Sequence, residues 1–169
     1  MAYTLKTFDL PILKGLSEKQ MNVHLGLYGG YVKQVNLGAG RFAFEFNGMR
    51  MHEYYFEQFE GGSTLRTIGG ALDGVEERVH EIAMTRGIGW IVVYADLSVG
   101  VLHTVFVNDH EVGQLAGLRI ILALDMWEHA YMVDYLPAEK KNYIDAFFAN
   151  LNWSVVEKRF EEAMKMSAV

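Results

Sequence analysis

The chain contains 169 residues, of which 51% are hydrophobic and 13% aromatic, and its formal net charge is −6. A chain of this length and composition folds into one domain or two small ones around a sizeable core, which excludes a disordered protein. The acidic balance argues against broad nucleic-acid binding, because that requires a basic surface. The chain has no cysteine. Disulfides, thiolate catalysis and iron–sulfur clusters are therefore excluded, and any metal site must use histidines and carboxylates.

The sequence lacks the patterns that mark export or membrane insertion. Residues 1–10 do not show the basic and then apolar order of a signal peptide. No apolar run approaches the roughly 20 residues that span a bilayer. We therefore expect a cytoplasmic protein that binds neither nucleic acid nor a membrane.

After an irregular start over residues 1–16, the first predicted helix runs over residues 17–35. Ser17 and Gln20 have the spacing of a capping box. The helix ends in the turn-rich segment 36–40. His24, Tyr28 and Tyr31 recur at i, i+4 and i+7, so they share one face. Gly29 and Gly30 weaken the helix, by about 1 kcal/mol each relative to alanine, which indicates that another backbone approaches closely there.

A second helix is predicted over residues 47–59, where it carries His52 and stops at Gly61-Gly62. The preceding segment 42–46 alternates as a strand does, but no partner strand lies nearby, so we favour a helix or its approach. The two helices predict an antiparallel hairpin in which His24 and His52 face each other. Each histidine, taken alone, also fits an ordinary core or surface position.

The remaining pattern predicts a small sheet among helices. Residues 72–84 are amphipathic and predict a helix, and further helices are expected from His129 to about Tyr135, over 138–151 and over 154–166, the last with Ser154 as N-cap and Glu157 as its capping-box partner. Three strands are predicted, over residues 90–97, 99–107 and 118–124. The fold class is therefore α+β: an N-terminal antiparallel helical hairpin (1–62) packed on a C-terminal domain (63–169) with a three-stranded antiparallel sheet and surrounding helices.

The most informative stretch is Asp125-Met126-Trp127-Glu128-His129-Ala130-Tyr131. Asp125 follows an apolar run that predicts a buried strand, and His129 comes four residues later, in what we expect to be the first turn of a helix. Side chains four apart on a helix share a face, so a carboxylate oxygen and an imidazole nitrogen can converge on a first-row metal ion. The alternative is an N-cap aspartate followed by an ordinary helical histidine.

At this point the chain resembles the iron/manganese superoxide dismutases over nearly its whole length. The motif at 125–131 matches that family's Asp-x-Trp-Glu-His-Ala-Tyr signature. Four further stretches resemble its first helix, its second ligand helix, the start of its sheet and its closing helix: Leu16-Ser17-Glu18-Lys19 leading to His24, residues 47–56 around His52, Gly87-Ile88-Gly89-Trp90, and Asn152-Trp153 followed by residues 156–160.

The resemblance implies that His24, His52, Asp125 and His129 ligate one iron or manganese ion per chain. It also implies an antioxidant enzyme that converts superoxide to oxygen and hydrogen peroxide by redox cycling of that ion. Family members assemble as homodimers or dimers of dimers, and we expect the same here.

The resemblance further suggests which residues surround the ion. Tyr31 resembles the family's gateway tyrosine, although it lies seven residues after His24, one fewer than in most members, a shortening that a divergent subgroup shares; the alternative for Tyr31 is a packed aromatic on a core face. The family's usual glutamine donor to bound solvent is missing. His110, fifteen residues before Asp125, resembles members with a histidine there, and Gln114 is the second candidate. Without that glutamine, the choice between iron and manganese stays open.

The resemblance also assigns walls and an interface to the site. Trp90 and Trp127 are expected to form apolar walls around the ligands. Glu128 resembles the residue that reaches across the family's dimer interface to His129 of the partner subunit. Many members have a tyrosine three residues after the last ligand, bonded to a histidine of the partner's first helix. This chain has Met132 at the first position and Leu27-Tyr28 at the second stretch, so both halves of that bridge are absent.

Two other functions are compatible with parts of this pattern. A non-heme metal oxygenase also uses histidines and a carboxylate, but typically two histidines with open positions for a co-substrate. A non-catalytic metal-binding or structural relative is the other, since the missing glutamine and the altered spacing of Tyr31 change the surroundings of the ligands. Retention of all four ligands argues against it, because an unused site loses expensive buried polar residues.

Overall fold

The computed structural model describes residues 2–38, 40–67 and 69–166. Ala39, within the predicted turn 36–40, lies outside the described residues. The regular elements, in chain order, are α1 (Glu18–Leu37), α2 (Phe42–Glu57), α3 (Val75–Ala83), β1 (Trp90–Asp96), β2 (Val101–Val107), β3 (Arg119–Asp125), α4 (Lys140–Asn150) and α5 (Trp153–Met166). The predicted α+β class is confirmed. The division of the chain at residue 62 stays a prediction.

Helices α1 and α2 form the predicted hairpin, and their aromatic faces give its direction. His24 packs against the ring of Phe56 with centroids 4.9 Å apart, whereas Tyr31, two turns later, packs against Phe44 at 6.1 Å. Contacts that run backward along α2 as they run forward along α1 define an antiparallel pair. Residues 42–46 are helical, which confirms our preference over a strand.

In the first helix, the capping box and the glycine pair both depart in part from the prediction. The Ser17 hydroxyl accepts a hydrogen bond from the Gln20 amide N–H, as a capping box predicts. The Gln20 side chain, however, bonds elsewhere. The glycine pair does not receive another backbone within the described chain: Gly30 has nothing near its missing Cβ, and Gly29 only the Leu5 side chain at 3.9 Å. No close backbone approach therefore occurs within the described chain, and an approach by a partner helix stays a prediction.

The sheet has the order β2-β1-β3, and both pairings are antiparallel. Every residue of β1 up to Ala95 is buried, as a central strand requires. On the outer side of β3, the side-chain amide of Gln58, the C-cap residue of α2, bonds both the N–H and the C=O of Ala123, each at 2.8 Å. Gln58 therefore satisfies two backbone groups that an edge strand leaves unpaired.

The segment after β3 is not the predicted helix. Glu128–Ala130 forms a single 3₁₀ turn, and turns follow it up to Asp134. The expected helix from His129 to Tyr135 is thus wrong. The side chain of Gln20 bonds the His129 carbonyl and the Val133 N–H, which would bond each other in a helix. At the start of α5 the cap is Asn152, whose side-chain oxygen accepts from the Ser154 N–H at 3.1 Å.

The predicted cap at Ser154 is wrong by two residues. Its expected capping-box partner, Glu157, instead accepts a hydrogen bond from the backbone N–H of Thr67. A search of the described helices finds none that is long and apolar enough to cross a membrane.

Candidate metal centre

Four side chains from separate parts of the chain converge on one buried point. The Nε2 atoms of His24, His129 and His52 lie 3.0, 3.2 and 3.7 Å from Oδ2 of Asp125. The potential ligand atoms of all four residues lie within 4.8 Å of one another. The structure thus brings together the four residues that the sequence singled out, although their ligation of an ion stays a prediction.

Local backbone hydrogen bonds orient two of these groups, Asp125 and His52. Asp125 ends β3, and its other carboxylate oxygen accepts from the Trp127 N–H at 2.8 Å, which fixes the carboxylate plane. The Nδ1–H of His52 donates to the carbonyl of Gly48, one turn earlier on α2, at 2.7 Å. That bond leaves the His52 Nε2 as a bare lone pair directed at Asp125. An outer hydrogen bond of this kind fixes the tautomer of a ligating histidine.

The protonation of the group follows from burial and from mutual charge. Burial lowers the pKa of His24 and, further, that of His52, so both imidazoles are neutral. Burial by itself would raise the pKa of Asp125, but the charge of His129 and the hydrogen bonds from His129 and His24 outweigh it, and the pKa of the carboxyl falls well below its usual range. Burial likewise opposes the charged form of His129, yet the neighbouring Asp125 raises its pKa.

The donor set fits an iron or manganese ion. Asp125 carries a negative charge in a fully buried place, and a buried charge is costly unless a cation compensates it. The Nε2 of His52 is buried and has no hydrogen-bond partner among the described residues. Imidazole nitrogens with one carboxylate oxygen suit first-row transition metals. We therefore take these four residues as those that could hold the ion.

Aromatic rings enclose the group on the side of α2 and the sheet. The buried indole of Trp90 meets His52 edge-on with centroids 5.2 Å apart, and Trp127 stacks on His129 at 6.1 Å. The indole N–H groups of both tryptophans are buried and have no protein partner within the described ranges. The structure thus places both predicted wall residues beside the ligands.

Tyr31 and His110 lie next to each other and beside His52. The Tyr31 ring is 5.0 Å from His52 and 5.3 Å from His110, centroid to centroid. Burial, followed by the negative charge of Asp125, raises the pKa of Tyr31 far above its usual value, so its hydroxyl keeps its proton. Burial lowers the pKa of His110, although nearby carboxylates act in the opposite direction. His110 is therefore a neutral imidazole with one N–H.

The loop that carries His110 is held from α2. The Asn47 side chain donates to the His110 carbonyl at 2.5 Å, and Arg41, just before α2, bonds Glu111 through two nitrogens at 3.1 and 2.7 Å. Both ring nitrogens of His110 are buried, and neither has a hydrogen-bond partner in the part of the chain that the structure describes. Because the loop fixes the ring and its two nitrogens are unpaired, His110 is suited to hydrogen-bond a solvent molecule or a ligand.

Gln114 and Glu128 lie in other surroundings. The side-chain oxygen of Gln114 accepts from the hydroxyl of Tyr94, at 2.5 Å, on the central strand. None of its described contacts is to the four-residue group, so His110 is the better placed of the two candidates. Glu128 is exposed in the 3₁₀ turn next to His129, as a residue that reaches a second subunit must be.

Sequence reasoning missed three residues that support the site. The buried Tyr143 hydroxyl donates to the Asp125 carbonyl at 2.7 Å. The Gln20 side chain donates to the His129 carbonyl and accepts from the Val133 N–H. Gly48 allows close packing: a Cβ there would lie 2.7 Å from both His110 Nδ1 and Tyr31 Cε1. The position of Gln20, four residues before His24 on the same helical face, was the one available signal.

Gly48→Ala tests this packing. The added methyl group must displace Tyr31, His110 or the α2 backbone, and we expect a loss of about 1–3 kcal/mol in the free energy of unfolding, as for other overpacked cores. Gly26→Ala is the matched control, because nothing lies within 4 Å of its Cβ position; it should be neutral or stabilising. Chemical denaturation measures both, and equal effects of the two variants would contradict the close packing.

The sequence is similar to those of known proteins. Residues 63–159 match the family profile described as iron/manganese superoxide dismutases, C-terminal domain. An iron superoxide dismutase from Aquifex aeolicus is 32% identical over 188 residues, covering 90% of this chain and 88% of the relative. One from Cupriavidus metallidurans is 32% identical over 184 residues, covering 90% and 92%.

Relatives named for manganese match as well, over a shorter stretch. A manganese superoxide dismutase from Halobacterium salinarum is 40% identical over 83 residues, or 49% of this chain and 41% of the relative. The profile match covers more than half of the chain, and the iron relatives cover nine-tenths of it. This chain therefore belongs to the iron/manganese superoxide dismutases, a family of oxidoreductases.

Proposed function

We propose that this chain is a superoxide dismutase that holds one iron or manganese ion between His24, His52, Asp125 and His129. The observation that carries the proposal is the buried convergence of three imidazole nitrogens and one carboxylate oxygen within 4.8 Å, in a chain that belongs to this family. Its substrate is superoxide, and its role is that of an antioxidant enzyme. A cytoplasmic location stays a prediction from the sequence.

The ion and the protein divide the chemistry between them. A bound iron or manganese ion supplies a one-electron couple, by which one superoxide gives up its electron and leaves as oxygen while a second takes up that electron and two protons and leaves as hydrogen peroxide. The single carboxylate among neutral imidazoles balances part of the ion's charge, so the site keeps a positive charge that attracts an anion. Trp90 and Trp127 exclude bulk water around the ligands.

Tyr31 and His110 are proton-bearing groups beside His52, with ring centroids 5.0 and 6.3 Å from its imidazole. Tyr31 keeps its hydroxyl proton, and His110 keeps one N–H, for the reasons given above. We assign to them the hydrogen bonds to solvent and substrate that deliver protons to the departing peroxide. Neither identifies the metal, since an imidazole N–H serves beside either ion.

Superoxide decay, followed by rapid mixing on protein loaded separately with iron and with manganese, tests the function. Rates are normalised to bound metal. We expect fast decay with at least one metal, and the ratio identifies the working ion. His52→Ala should lose metal and activity together, because it removes one of four ligands. His103→Ala, at a half-buried histidine on β2 that is not one of the four converging residues, is the control and should keep both. Fully loaded wild-type protein without activity would refute the proposal and favour a non-catalytic relative.

His110→Ala separates metal binding from catalysis. Because His110 is not among the four converging groups, we expect the variant to retain its metal while kcat falls by about 10- to 100-fold, the usual size of outer-shell effects. Metal analysis and superoxide decay on the same sample provide the two readings. Unchanged kinetics with either metal would remove His110 from the proton-delivering set.

We also propose that two copies associate through the surface around Glu128. Exposed apolar side chains lie on the elements next to it. Val23 and Leu27 on α1, and Met132 and Val133 in the turn after His129, are 38–44% exposed. The family's polar bridge is absent at Met132, so the contact there is apolar. In this arrangement Glu128 of one chain bonds His129 of the partner subunit, whose imidazole side chain is 21% exposed here.

Sedimentation velocity tests the association. The wild type should sediment as a dimer or a dimer of dimers, and Glu128→Ala should weaken association and speed metal loss, since His129 then lacks its outer carboxylate. Glu77→Ala on the exposed side of α3 controls for the loss of one surface charge. A wild type that stays monomeric at micromolar concentration would exclude this interface.

A further inference from the structure

A fully buried glutamine lies beneath the ligands and takes no part in the proposed chemistry. The Gln20 side chain is 0% exposed. Its Nε2 donates to the His129 carbonyl at 2.7 Å, and its Oε1 accepts from the Val133 N–H at 2.9 Å. Both ends of the amide are therefore used, and both bond the backbone of the turn that carries a proposed ligand.

In a regular helix, the two backbone groups that Gln20 bonds would form a hydrogen bond with each other. In an α-helix the N–H of residue i+4 donates to the carbonyl of residue i, so Val133 would donate to His129. Here the Gln20 amide stands between them and completes both bonds. The neighbouring pair keeps its helical bond, since the Met132 N–H donates to the Glu128 carbonyl at 2.9 Å. The inserted amide thus opens the turn at His129 itself.

Gln20 connects this opened turn to another ligand. It lies four residues before His24 on α1, so the two side chains project from the same face. The imidazoles of His24 and His129 lie 5.2 Å apart, centroid to centroid. One helical turn therefore carries a proposed ligand and also fixes the backbone of a second ligand, 109 residues further along the chain.

We infer that Gln20 is a positioning residue: its amide sets the place of the His129 backbone relative to His24, and thereby the geometry and retention of the bound ion. The inference rests on the proposed metal site. It extends that site to a residue that touches no metal, substrate or reacting atom.

A purely structural role is the competing explanation, because other bonds join the same two segments. The Ser17 N–H donates to Asp134 at 2.6 Å, and the Tyr135 hydroxyl donates to the Gly15 carbonyl at 2.5 Å. These bonds hold the segment just before α1 to the end of the turn, but neither one includes a proposed ligand residue. Tyr135→Phe therefore supplies a matched control that loses one bond across the same contact and leaves the His129 carbonyl paired.

The test compares Gln20→Met, Gln20→Glu and Tyr135→Phe with the wild type. Methionine keeps the length of the side chain and removes both bonds, whereas glutamate keeps an acceptor for Val133 and removes the amide donor to His129. Each protein is loaded with manganese, and the rate of metal release to a chelator is measured. Cobalt(II) absorption of each protein reports the coordination geometry, and denaturation of the metal-free forms reports folding.

We expect both Gln20 variants to release manganese about 10- to 100-fold faster than the wild type and to show a changed cobalt spectrum. Tyr135→Phe should match the wild type in both readings, even where its metal-free form is less stable. Wild-type release rates and spectra in the Gln20 variants would overturn the inference and leave a structural bond. If one Gln20 variant does not fold, the other decides.

Failure of the proposed function gives a different result. A wild type that binds metal but does not consume superoxide would refute the enzymatic proposal, while release rates and spectra would still decide the role of Gln20. A wild type that binds no metal ion would overturn both, because no bound ion would then depend on the place of His129.

Discussion

The buried carboxylate of Asp125 is the charge on which the rest of the site depends. An ionised carboxylate without a partner is costly in a protein interior, and the imidazoles of His24 and His129 compensate it only through hydrogen bonds and the partial protonation of His129. A cation at the same point satisfies the carboxylate and the unpaired His52 nitrogen together. Metal binding and folding are then coupled, because the apo protein keeps a charge that the holo protein neutralises.

Hydrogen bonds to the backbone, more than the packing of large side chains, hold this carboxylate and its neighbours in place. Asp125 ends a buried strand, its carbonyl accepts from Tyr143, and the next residue, Met126, donates to the Gly89 carbonyl at 2.8 Å. The Gly48 carbonyl orients His52, and the Gln20 amide holds the His129 turn. Three of the four proposed ligands, Asp125, His52 and His129, are thus held by hydrogen bonds to or from nearby backbone, whereas the Nδ1 of His24 has no partner among the described residues.

The sequence was sufficient to single out the four converging residues and to predict the order of the elements, since both depend on local patterns: apolar periodicity predicts the helices and strands, and the histidines and the aspartate stand at recognisable positions. It failed where a distant side chain replaced a local bond. The helix expected after His129 does not form, because Gln20, 109 residues earlier, takes its hydrogen bond. The cap of α5 shifted to Asn152 because Glu157 bonds the distant Thr67. Propensity contains no information on such partners.

Three departures from the family pattern can be explained as one change. Tyr31 comes one residue earlier than in most members, which rotates it by about 100° around α1 and places its ring against α2. Only glycine fits at position 48 beneath it, because a Cβ there would lie 2.7 Å from Tyr31 and from His110. A residue without a side chain cannot donate to bound solvent, so a donor on that side must come from another segment. We propose His110 for that place, on a loop that Asn47 holds from α2.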